Sequence, residues 1–355
     1  MGFEPDYRNI VAAASNSRPS RLPLYEHQIS PVIMENILDK HLMSFADLMA
    51  GSESGLREFF TDYCRFYKEM TYDTVSFEFP VVEILPGHGA IMGGRPGPIQ
   101  NRNDFDAYPW DELPEVFWQK AQRWFDMLSK CMPAGMKAIG GVGYGVFEVS
   151  EDLVGFEYLG YMQADDPQLF AQIYRKIGDL MVGIWTRLLK QYSDCFCVCR
   201  VGDDLGFKTG TLLAPQTIVA HIIPQYRRII SLVHKAGKPF LLHSCGNIFA
   251  VMEQIIDAGI DAKHSNEDVI APFEEWLTRY GSKIGLFGGI DVDVLCQSSP
   301  EEVYEQVLTK GRLYRDTARG FALGSGNSIP DYVPIEGYLA MVRAVQQLRL
   351  QEEKR

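Results

Sequence analysis

The chain has 355 residues, 46% of them hydrophobic and 12% aromatic, enough to bury a large core in one α/β domain or two ordinary ones. A formal net charge of −12 excludes the basic surface that nucleic-acid binding requires. No apolar run approaches the roughly 20 residues of a membrane span, the opening stretch lacks a leader pattern, and seven scattered cysteines read as reduced thiols. A cytoplasmic protein is expected.

In chain order, residues 1–70 read as an N-terminal helical extension. "SPVIMENILDKHLMSFADLMAG" and "SGLREFFTDYCRFYKEM" carry apolar residues at helical spacing, the second opening from Ser54 as a cap. From residue 71 to 355 the pattern is a barrel domain. Short β-rich runs end in polar residues: "YDTVSFEF" (72–79), "GMKAIGGVG" (135–143), "FEYLGYM" (156–162) and "CFCVCRVGDD" (195–204). They continue as "KPFLLHSCG" (238–246), "GIDAKHSNE" (259–267), "KIGLFGGID" (283–291) and "GFALGSGNS" (320–328). Helical patterns fall at 166–192, 215–236, 247–258, 271–280, 299–318 and 333–350. Such alternation implies a parallel sheet, and eight strand candidates predict a (β/α)8 TIM barrel.

Neither "GGVGYG" nor "GHGAIMGGRPG" sits in a strand–GxGxxG–helix unit with a following acid, so no dinucleotide site is expected. The Gly- and Pro-rich stretch 80–110 is expected to cover the barrel mouth. Cys195, Cys197 and Cys199 alternate, which on a regular strand places all three on one face, and core packing is the expected role.

In such a barrel the site lies at the C-terminal ends of the strands. The runs there end in Arg200, Asp203 and Asp204; in His243, Cys245 and Asn247; in Lys263, His264, Asn266 and Glu267; in Asp291; and in Ser325 and Asn327. Glu78, Tyr144 and Gln163 come from earlier runs. His243 and Cys245 are two apart and share a face, offering imidazole and thiolate to zinc, with Glu267 and His264 on the next strand. Asp203 and Asp204 read either as a substrate-handling or proton-handling pair or as helix-capping braces, and Asp291 as a substrate contact or a cap.

"GDDLGFKTGTLLAP", "PFLLHSCGN", "GIDAKHS", "FGGIDVDVL" and "GSGNSIPDYVPIEGYLAMV" in series resemble the uroporphyrinogen decarboxylase superfamily over roughly residues 130–348. That resemblance implies a (β/α)8 barrel. The decarboxylase branch carries an arginine-rich stretch of the kind "RQAGRY"; the equivalent "RPSRLPLYEH" does not match it. The corrinoid-dependent methyltransferase branch fits better: it implies His243 and Cys245 as zinc ligands, with Ser325 where that branch places a last-strand cysteine as the third ligand, and the more distant cobalamin-independent methionine synthase relatives imply Glu267 as a ligand. The implied chemistry moves a methyl group from a methylated small molecule, foremost a methoxylated aromatic, to a Co(I) corrinoid (cobalamin) on a partner protein. Asp204, His243, His264 and Glu267 are then candidates for acid or metal roles. Glu78, Tyr144, Gln163, Arg200, Asp203, Asp291 and Asn327 are candidates for substrate contacts. Tyr25, Phe79, Tyr144 and Phe147 would suit an aryl guest, and a homodimer is compatible with the class. A carboxy-lyase using Asp203 and Asp204 without metal is the alternative, and a non-catalytic barrel binding a corrinoid protein or a ligand is a further one.

Overall fold

The computed structural model describes residues 2–352. Its strands are β1 (Thr74–Pro80), β2 (Lys137–Gly143), β3 (Phe196–Gly202), β4 (Gly206–Phe207), β5 (Gly210–Thr211), β6 (Phe240–His243), β7 (Ala262–His264), β8 (Gly285–Ile290) and β9 (Phe321–Ser325). Seven of them form one sheet in the order β1-β2-β3-β6-β7-β8-β9, every neighbouring pair parallel, while β4 and β5 make a small antiparallel hairpin. Parallel neighbours require helical crossovers, supplied by Leu113–Cys131, Pro167–Tyr192, Ile223–Lys235, Phe273–Tyr280, Pro300–Thr317 and others.

The eighth stave is not the expected one. "FEYLGYM" lies in a helix, Phe156–Asp165, which buries Leu159 and Met162 at helical spacing and starts from Gly155 at φ 93. Closure comes instead from the N-terminal segment around Leu24. Leu24 bridges Leu323 in parallel, the Tyr25 N–H donates to the Leu323 carbonyl (2.9 Å), and the Leu323 N–H donates to the Pro23 carbonyl (3.0 Å). Gly324 allows this approach, since a Cβ there would lie 1.8 Å from the Tyr25 carbonyl oxygen.

Residues 2–70 therefore divide between two roles. Pro31–Leu38, Phe45–Ala50 and Glu53–Glu69 form the helical layer expected of an extension, the last capped by Ser52 rather than Ser54. The residues before them belong to the barrel. Ile10, Ala13 and Ala14, on the helix Arg8–Ala14, pack with Tyr25, Ile139, Cys197, Leu241, Ala262, Phe287 and Ala322 in the buried barrel interior. The three alternating cysteines do not share a face: Cys197 joins that interior while Cys195 and Cys199 pack in the outer core. A register shift between Ala138 and Ile139, opposite Phe196 and Val198, interrupts the alternation.

The 80–110 stretch carries the 3-10 turns Val81–Ile84 and Ala90–Met92 and the helix Arg102–Ala107. It is pinned down, because the buried Asp152 carboxylate accepts from the Gly89 and Ile91 N–H groups at 2.6 and 3.2 Å. No helix among the described residues is long and apolar enough to cross a membrane.

Candidate active site

His243 is the last residue of β6 and His264 the last of β7, and the two pair in register across the sheet. Their Nδ1 atoms are 2.7 Å apart, and His264 Nε2 lies 3.0 Å from the Ser325 carbonyl oxygen. A carbonyl only accepts, so His264 carries its proton on Nε2 and accepts at Nδ1 from His243. This chain of bonds leaves the His243 Nε2 lone pair free. Burial pushes the pKa of His264 down to about 3 and that of His243 well below its ordinary value, so both rings are neutral.

That lone pair faces Cys245 Sγ at 3.4 Å and Asp204 Oδ1 at 3.8 Å. The ligand atoms of Asp204, His243 and Cys245 all lie within 4.8 Å of one another. Tetrahedral zinc, with bonds of about 2.0–2.3 Å, separates neighbouring ligand atoms by about 3.3–3.8 Å, so the donor set fits such an ion with one position left open. Asn327 Nδ2 (3.4 Å) and Ser265 Oγ (3.7 Å) donate to the sulfur, an arrangement suited to a thiolate. Without a cation, burial pushes the Cys245 thiol up, and the S–H proton stays. Asp204 is held by the Cys245 N–H at 2.8 Å, yet its side chain remains 41% exposed and is accessible from the mouth.

His27, on the N-terminal stave, completes the centre. Its ring stacks on His243 at 3.7 Å and 11°, and its ligand atom groups with those of His243 and His264. Its neighbour Glu26 takes up Ser325: Glu26 Oε1 accepts from the Ser325 N–H at 2.8 Å, and Glu26 Oε2 accepts from the Ser325 hydroxyl. The serine is thus turned towards a buried carboxyl.

The family model described as Uroporphyrinogen decarboxylase (URO-D) matches residues 98–348. The chain belongs to the uroporphyrinogen decarboxylase family. Its fold is shared with a solved methyltransferase from Methanosarcina mazei at a TM-score of 0.76, 14% identity, and coverage of 97% of this chain and 99% of that one. The apo 3-keto-D-glucoside 4-epimerase YcjR from E. coli matches at a TM-score of only 0.39, with 10% identity over 83% of this chain and 94% of that one. No protein of curated function matches the sequence.

The family barrel places the other expected residues more variously. Glu267 is not in either ligand group; it lines a separate cavity of about 270 Å³ with Lys208, Asp291 and Asn327. Asp203 is a brace: fully buried, it accepts from the Phe147 (3.0 Å) and Glu148 (2.9 Å) N–H groups and the Tyr226 hydroxyl (2.5 Å), capping the helix Val146–Val154. Burial nevertheless raises its pKa to about 6. Asp291 caps Val292–Gln297 through the Asp293 N–H (2.8 Å) and also accepts from the Asp268 N–H (2.6 Å). Gln163 lies on the Phe156–Asp165 helix and donates to Thr217 Oγ1 at 3.0 Å.

Arg200 is buried and engaged at every nitrogen: Nε and Nη2 donate to Glu78 Oε2 (3.1 and 2.7 Å), and Nη1 to Tyr25 Oη (3.1 Å), the His27 carbonyl (3.0 Å) and Ser76 Oγ (2.6 Å). Tyr144 follows β2 in the left-handed region at φ 67 and is half-buried. Tyr25, Phe79 and Phe147 are core residues. Lys263 is buried beside Trp276, its ammonium 3.9 Å from the ring centroid, and burial lowers its pKa to about 7.

Sequence reasoning missed Glu26 and His27. The signal was present, since "LPLYEHQIS" is an apolar run ending in polar residues like the other strands, but it stands among helical patterns. Glu26 makes a pH prediction. Burial raises its carboxyl from 4.5 to about 8, only partly opposed by the Ser325 bonds. A buried acid held protonated contributes stability that is complete below about pH 4.5 and is lost as pH rises through about 8. Glu26→Gln should therefore gain urea midpoint relative to the parent between about pH 5 and 9. Parallel midpoint curves for the two proteins would remove this account of Glu26.

Proposed function

We propose that this barrel transfers a methyl group from a methylated small molecule, foremost an aryl methyl ether, to the Co(I) corrinoid of a partner protein. The observation carrying this reading is the Asp204–His243–Cys245 group at the barrel mouth, a mixed O/N/S donor set with an open fourth position. A donor set with a single thiolate is harder than one with two, which suits an ether oxygen better than a sulfur substrate. In the transfer the methyl–oxygen bond breaks, its electron pair goes to oxygen, the methyl group goes to Co(I), and the phenolate takes up one proton. Co(I) is a strong nucleophile, so the protein's task is to make the phenolate leave.

Zinc held by Asp204, His243 and Cys245 would supply Lewis acidity at that oxygen. This chain's own residues do the rest. His264 fixes the tautomer of His243, Asn327 and Ser265 steady the sulfur, and the neutral rings of His27 and His243 keep positive charge away from the ligands.

A metal-free lyase acting through a carboxylate pair is disfavoured by the placement of Asp203, whose oxygens are taken up by the helix it caps and by the Tyr226 hydroxyl. The test is to mix the purified protein with cob(I)alamin and a panel of methoxyarenes and methylamines, following loss of the Co(I) absorbance. Methylation by a methoxyarene is expected. No methylation across the panel, including with an active corrinoid protein, would overturn the reading, and release of carbon dioxide from an aryl acid would put the lyase in its place.

A further inference from the structure

The barrel has a seam. The N-terminal stave pairs by backbone with β9, but among the described residues no backbone bridge joins it to β1 on the other side. Side chains span the gap instead: the Ser76 hydroxyl and Arg200 Nη1 donate to the His27 carbonyl at 2.6 and 3.0 Å. Against this seam, beneath the 31–69 helical layer, lies a cavity of about 270 Å³. An apolar cavity of about 150 Å³ already accepts benzene.

Rings and one thioether, from Phe45, Phe59, Tyr63, Phe77, Trp124 and Met43, make up much of its wall, with Ile29, Leu48 and two prolines beside them. Its polar lining includes His27, Glu78 and Arg200. The last two neutralise each other in a 2.7 Å ion pair, and the guanidinium has no nitrogen to spare for an anion. His27 differs from them. It is only 8% exposed, and its Nδ1 is buried without a hydrogen-bond partner. A buried imidazole nitrogen left unpaired costs free energy, which a turn of the ring that brings it into the cavity against a guest oxygen would recover. The same ring stacks on His243, so His27 is the wall that stands between the cavity and the candidate ligand group, none of whose members lines the cavity.

We infer that the seam cavity is an aryl-binding pocket for an uncharged, oxygen-substituted benzene, with His27 giving the one directed hydrogen bond and the Glu78–Arg200 pair excluding carboxylates. The pocket rests on the methyl-transfer reading for its use, not for its binding. Aromatic walls favour a planar ring over a saturated one of equal size, and the absence of a free cation sets phenol ethers ahead of benzoates.

Calorimetric titration of the full chain with 2-methoxyphenol, 2-methoxycyclohexanol and 4-hydroxy-3-methoxybenzoate tests this. The expected result is binding of 2-methoxyphenol at least 10-fold tighter than either of the others. Met43→Trp, which fills the cavity from its half-buried side, should weaken that binding at least 10-fold, and His27→Phe, which keeps the stacked ring but removes both nitrogens, should weaken it several-fold. Thermal unfolding of both variants verifies that they are folded. No binding by the parent protein, equal binding of the cyclohexanol, preference for the benzoate, or indifference of folded variants would each overturn the pocket. Tight binding that both variants weaken, without methyl transfer, would uphold the pocket and remove the methyl-transfer reading. Transfer from 2-methoxyphenol that Met43→Trp leaves unchanged would do the reverse.

Discussion

Asp204→Asn should lower bound zinc from about one per chain to a small fraction of that, and methyl transfer to Co(I) by at least about 100-fold. Asparagine keeps the shape and can still accept the Cys245 N–H bond, but it withdraws the anionic oxygen that faces His243 Nε2 at 3.8 Å. Cys245→Ala should do the same through loss of the thiolate. Glu267→Gln, in contrast, should leave the zinc content unchanged, because Glu267 lines the neighbouring cavity with Lys208 and Asp291. Ser325→Cys should not raise it either, since that side chain faces Glu26. Elemental analysis of the four variants decides between the two acidic residues. Zinc lost with Glu267→Gln and kept with Asp204→Asn would restore the set that the family resemblance implied. A parent protein without zinc would remove the metal and leave proton delivery to the leaving oxygen as the remaining device.

The second large effect concerns stability. Arg200→Met should cost about 3–5 kcal/mol, because it leaves the Glu78 carboxylate partly buried without its cation and the His27 carbonyl without one of its two donors. In a domain of this size that loss lowers the thermal midpoint by on the order of 10 °C. The double variant Arg200→Met/Glu78→Leu should recover a large share, since replacing both partners by apolar groups leaves no unpaired buried charge. Urea midpoints measure both. A single-variant loss below about 1 kcal/mol would show that the seam does not depend on this pair.

The two predictions bear on different kinds of residue that looked alike in the sequence. Arg200, Asp203 and Asp204 all end one apolar run, and all were candidates for chemistry. In the barrel, Arg200 turns inward to close the seam, Asp203 caps a helix from the preceding unit, and only Asp204 stays half-exposed beside His243 and Cys245. Asp291 behaves as Asp203 does, with its oxygens taken up by local N–H groups. Polar residues at strand ends are legible because a strand leaving the core must end somewhere wet. Their roles are not legible, since both caps and ligands are carboxylates.

By itself the sequence determined the seven strands of the main sheet, their helical crossovers other than Leu113–Cys131, the rim on which the polar residues stand, and the pairing of His243 with Cys245. All of these rest on short-range periodicity and spacing, which a single chain segment carries without help. Only the tertiary structure decided that "FEYLGYM" is a helix and that "LPLYEHQIS" is the first stave. A segment held by two isolated bridges has little local pattern to announce it, and a short aromatic run fits either period. Likewise only the fold could set Asp204, and not Glu267, beside His243 and Cys245, or line one cavity with Phe45, Phe59, Trp124 and His27. Those choices depend on which side chains point at one another across staves about 4.8 Å apart and from helices far away in sequence. That is a property of closure, and no stretch of the chain contains it alone.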